Sequence, residues 1–83
     1  MLNPLSIHID KRDLQKSIAD MAKDQKMIDL PVFASLRSAV GERLTEDPNL
    51  AIQNIKFEMK TIIYFGFSIS ETVEAIVYFK YIA

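Results

Sequence analysis

Cysteine is absent from the 83 residues, which excludes disulfides, thiolate nucleophiles and cysteine-based zinc sites together. There is one histidine, His8, so no second imidazole is available to share a metal ion. The two glycines, Gly41 and Gly66, are too few and too far apart for a phosphate-cradling loop. Serines occur in no nucleophile-elbow setting. The carboxylates near Glu42, Glu46 and Asp47 form no acid–base pair with an evident pocket. Catalytic residues, a metal site and a cofactor are therefore not expected, and the chain is not expected to be an enzyme. The net charge of −1 gives no general attraction to nucleic acid or anionic lipid. Long apolar runs are missing too. The longest uncharged stretch, Thr61–Ser70, has ten residues, whereas a membrane-spanning helix needs about 20. Met1–Ile9 lacks the basic and apolar regions of a secretory signal. A cytoplasmic protein with no membrane partner is the expectation.

What is present is a globular composition, 49% apolar and 25% charged, in a length that allows one domain over 1–83. Asp10 is placed to cap a helix from Lys11 to about Gln25, with Asp13 in its first turn. Leu14, Ile18, Met21 and Ala22 gather on one side of it at helical spacing. Arg12, Lys16, Lys23 and Lys26 form a basic stripe, beside an acidic stripe of Asp13, Asp20 and Asp24. Asp29 with Pro31 opens a second helix to about Leu44, whose inner face is Val32, Phe33, Leu36, Val40 and Leu44.

The C-terminal half reads two ways. As helix, Asp47 and Pro48 begin a segment that Gly66 ends, and Ser68 with Glu71 has the spacing of a capping box for a last helix to about Tyr81. As strand, Ile55-Lys56-Phe57-Glu58-Met59-Lys60 alternates cleanly, and β-branched and aromatic residues dominate from 55 to 82. A hairpin turning near Phe67–Ser70 would then pair Phe57 with Tyr81 and Glu58 with Lys80, and Ser6–Ile9 would add a third strand. The cap signatures favour the helical reading. The expected fold is all-α, a small four-helix bundle-like domain; the alternative is α+β, two helices plus a C-terminal β-hairpin.

The segment from Phe65 to Ile76 resembles the glycine corner of a helix-turn-helix, and also the Gly-Phe corner of ubiquitin-associated domains. Neither resemblance exceeds about fifteen residues. Glu71 and Glu74 would face a polyanion in the first case, and the chain ends too soon for a third helix in the second. The corner is read as helix-capping grammar and no family is assigned.

Seven of the eight aromatic residues lie between Phe57 and Tyr81. A domain this small hides only about 60–65% of its unfolded-chain surface, so part of that apolar mass is expected to meet a partner. Phe57, Tyr64, Phe67, Tyr78, Phe79 and Tyr81 are the candidate partner-binding residues. A homodimer covers such a surface most simply. The expected function is that of a small regulator or inhibitor acting by protein–protein binding and self-association, a profile common among small phage-encoded proteins. The alternative is a dimeric DNA-binding regulator using Arg12, Lys16, Lys23, Lys26, Arg37 and Arg43.

Overall fold

Two long strands replace the two helices expected in the C-terminal half. The computed structural model describes residues 2–64, 66 and 68–82, with only the backbone of Tyr64 and Ser68. Its order is β1 (Leu5–Asp10), α1 (Lys11–Ala19), two short 3-10 turns (Met27–Asp29 and Pro31–Phe33), α2 (Ala34–Glu46), β2 (Leu50–Tyr64) and β3 (Ser68–Tyr81). The strands form one antiparallel sheet in the order β1-β3-β2. The fold is therefore α+β, and the all-α bundle is overturned.

Two of the three cap signatures that favoured helix serve turns instead, and the third lies within a strand. The Asp47 carboxylate accepts from the Asn49 N–H at 3.1 Å, and the Asp47 carbonyl accepts from the Leu50 N–H at 3.1 Å, so Asp47-Pro48-Asn49 turns the chain from α2 into β2. Gly66 has φ +74°, a left-handed conformation that glycine takes without steric cost, at the bend between the strands. Ser68 and Glu71 lie within β3. Once the caps are spent on turns, β-branched and aromatic content decides the conformation.

The observed register differs from the one expected for a hairpin. Phe57 lies opposite Ala75 and Glu58 opposite Glu74, while Tyr81 faces Leu50 and Lys80 faces Ala51. The strands turn around Gly66 rather than at 67–70, which slides the pairs from Asn54 onward by six positions and those before the bulge by seven. The third strand falls where Ser6–Ile9 suggested, with Ile7 opposite Ala75 and Ile9 opposite Val73.

Alternation assigns the two sides of the sheet. Ile7, Ile9, Val73, Ala75, Val77, Phe79, Ile55 and Phe57 point to the helices, and Leu14, Leu30, Phe33, Leu36 and Val40 close the core from the helical side. Of the face expected for the second helix, Leu36, Val40 and Leu44 lie on α2, which starts at Ala34, while Val32 and Phe33 sit in the 3-10 turn before it. α1 is shorter than expected and stops at Ala19. Its start is as expected, with the Asp10 carboxylate accepting from the Arg12 N–H at 2.8 Å. Asp10→Ala should therefore lower stability by about 1 kcal/mol, measured by urea unfolding, with the slope unchanged.

The molecule is elongated, 49 × 34 × 16 Å with a radius of gyration of 14.8 Å, against about 12 Å for a compact chain of this length. The cause is the β2–β3 hairpin. β1 pairs with β3 only from Thr72 to Val77, so beyond Thr72 and Lys60 the hairpin continues as a two-stranded ribbon.

Candidate interaction surface on the β2–β3 hairpin

β2 is an edge strand, fifteen residues long, hydrogen-bonded to β3 on one side only. Its outer edge presents unpaired backbone donors and acceptors, the form of surface that accepts another strand. The opposite edge, β1, has six residues.

The helical layer is narrower than the sheet. It covers β1, β3 and the first part of β2, and leaves the helix-facing side of the hairpin open. Phe57 is 38% exposed, Met59 62%, Ile63 64% and Ile69 68%. Phe57 is partly anchored, its ring meeting that of Phe33 edge-to-face at 5.7 Å. Beside the first half of β2, Ile52 and Ile55 form one wall of an apolar groove of about 260 Å³. Leu36, Val40 and Gly41 of α2 and the preceding Ile28 form the other. Nothing lies within 4 Å of where a Cβ on Gly41 would sit, so the groove mouth is open there.

The other side of the sheet is polar. Lys56, Glu58 and Lys60 of β2 stand in a row beside Ile76, Glu74 and Thr72 of β3. Glu74 is flanked by His8, whose Nε2 is 3.4 Å away, and by Lys60 Nζ at 3.4 Å. Lys56 Nζ lies 6.0 Å from the centre of the Tyr78 ring. Glu58 sits directly opposite Glu74, and among the described residues it has no cationic partner.

A second, polar cleft of about 440 Å³ lies between Asp10, Lys11 and Arg12 and the Ile69-Ser70-Glu71 stretch, bridged by the Lys11–Glu71 ion pair at 2.8 Å. Among the described residues, no group of three or more His, Asp or Glu side chains could hold a metal ion. No helix among them is long and apolar enough to cross a membrane.

No family model, characterised protein or solved structure matches the chain. The surface must be read from its own chemistry.

The six aromatic candidates do not share one surface. Phe79 is core, with the Arg43 guanidinium 5.1 Å from its ring centre. Phe57 belongs half to the core and half to the open apolar side. Tyr78 is half-buried on the polar side, and Tyr81 is exposed at the base of the hairpin on the helix side. Phe67 and the Tyr64 side chain lie outside the described residues.

The basic stripe is not a stripe on one helix. Arg12 and Lys16 are on α1, whereas Lys23 and Lys26 fall in the connection after it. Arg37 donates to the carbonyls of Ile28 at 2.9 Å and Leu30 at 2.6 Å, and Arg43 donates to the Asn3 carbonyl. Arg37 ties α2 to the turns before it, and Arg43 ties α2 to the segment before β1.

Ile52, Met59, Ile63 and Ile69 were missed as surface candidates. Taken as helix, Ile52, Ile55, Met59, Ile62 and Ile63 form one face. For Met59 the signal is the period-2 run from 55 to 60.

Proposed function

We propose that this chain is a small non-enzymatic regulatory protein that works by binding protein, its own copies included, through the β2–β3 hairpin. The observation that carries this reading is the coincidence, on one strand, of an open backbone edge with an uncovered apolar side. Soluble chains ordinarily blunt such an edge with short length, bulges or charge. Here the length is fifteen residues, there is a single bulge near Gln53, and charge is confined to the polar side. The DNA-binding alternative has less behind it, since Arg37 and Arg43 are engaged within the fold and Lys23 and Lys26 are off the helix.

Light scattering on a sizing column tests the reading. The expected mass is about twice 9.5 kDa, growing with protein concentration. It should change little between about 50 and 200 mM salt, because phosphate-type electrostatics do not drive the association. Lys16→Glu with Lys23→Glu should leave the mass unchanged. A 9.5 kDa species at every concentration overturns the proposal.

A further inference from the structure

We infer that the occupant of this edge is the β2 strand of a second copy, paired antiparallel about a two-fold axis at Phe57. This rests on the self-association proposed above and names its interface. Two antiparallel strands joined edge to edge by a two-fold axis have that axis normal to the sheet. The helix sides of the copies then adjoin on one side and the polar sides on the other. The axis must therefore pass through a residue, because a position between residues would set Phe57 against Glu58 across the two sides.

Charge selects among the residues. An axis at Glu58 sets Glu58 against its own copy and Lys56 against Lys60, all like charges. An axis at Met59 pairs Glu58 with Lys60 but leaves Lys56 against Ile62. An axis at Phe57 sets Lys56 against Glu58 twice and Lys60 against Asn54. That register also gives Glu58, which faces Glu74 within its own chain, the cation it lacks among the described residues.

The helix side agrees with the same register. Phe57 meets Phe57, and Met59 of each copy arrives opposite Ile55 of the other. There it reaches the groove walled by Leu36 and Val40. Each copy thus supplies an uncovered side chain from its outer half and a groove beside its inner half. Methionine is well suited to fill an irregular gap. The run 54–60 needed for these pairs is free of the bulge, which lies between Ile52 and Asn54. The product is a continuous six-stranded sheet with one polar and one apolar side.

Charge exchange tests the register. Lys56→Glu and Glu58→Lys each turn two attractive pairs into repulsive ones. Each variant alone should dimerise on the order of tenfold to a hundredfold more weakly than the parent chain. Mixed in equal amounts they should form a heterodimer of near-parental affinity, since every cross-strand pair is again opposite in sign. The doubly exchanged chain, Lys56→Glu with Glu58→Lys, should recover dimerisation by itself. Heterodimer formation also shows that both variants are folded. A parental dimer that neither substitution weakens overturns this edge while the self-association reading stands. A dimer weakened by Glu58→Lys and indifferent to Lys56→Glu overturns the register in favour of Met59. A monomeric parent removes the reading and this inference together.

Discussion

Replacing Phe33 by alanine is expected to lower the melting temperature by about 12–40 °C. Phe33 has no exposed surface, and it stands where the second 3-10 turn hands over to α2, between the helical layer and the sheet. Its ring is also the one that Phe57 meets edge-to-face. Truncating such a side chain costs about 3–5 kcal/mol, because the lost transfer energy is joined by a cavity that the backbone cannot close. A chain of this length has roughly 4–12 kcal/mol to lose. Circular dichroism melts at matched protein concentration measure the effect, since association raises the apparent stability by mass action. A fall of less than about 5 °C would mean that the helical layer does not pack on the sheet around Phe33.

Met59→Asp is expected to do the opposite, leaving the fold almost untouched and abolishing association. Met59 is 62% exposed in the single chain, and substitutions at such positions usually change stability by no more than about 0.5 kcal/mol. In the paired strands it is covered by Ile55 of the other copy, and the two-fold axis makes the change twice. Losing about 1.5–3 kcal/mol of apolar burial at each position weakens the dimer by more than about a hundredfold. Sedimentation at a concentration where the parent is dimeric should show a monomer with an unaltered far-ultraviolet spectrum. Tyr78→Asp, on the polar side of the central strand, should leave the mass as it was. Equal effects from the two substitutions would show that the apolar side of the hairpin is not what associates.

The N-terminal half could be read because its signals are local. Asp10 caps where a cap was expected, and Leu36 and Val40 line one face of α2, with Phe33 buried in the 3-10 turn just before it. The first helix ends early, its last turn closed by the Asp20 and Met21 N–H groups donating to the Ser17 and Ile18 carbonyls, and the chain beyond it runs on to bury Leu30 in the core. The second half misled because aspartate, proline, glycine and serine serve helix ends and turns alike. Ile55, Met59 and Ile63 satisfy four-residue and two-residue spacing together. Arg37 and Arg43 looked like free charge because backbone carbonyls leave no mark in a sequence, those of Ile28 and Leu30 in the preceding turns and that of Asn3 forty positions away. Phe79 looked like a surface aromatic for the same reason, its cover coming from α2. The edge position of β2 was not legible at all, since it depends on which strand β1 chooses.

That choice has a consequence for how the chain is made. Among the described residues, β1 and β2 pair with no strand but β3, which comes after them both in the order of synthesis. On a ribosome adding about 5–20 residues each second, the first strand waits some seconds with its apolar side bare, and the sheet cannot form until its middle member emerges. Closure then joins residues some sixty positions apart, as Lys11 and Glu71 are, a slow step for so short a chain. Through that interval the apolar sides of β1 and β2 have no middle strand to join them, and exposed apolar surface of this kind is what drives aggregation during folding.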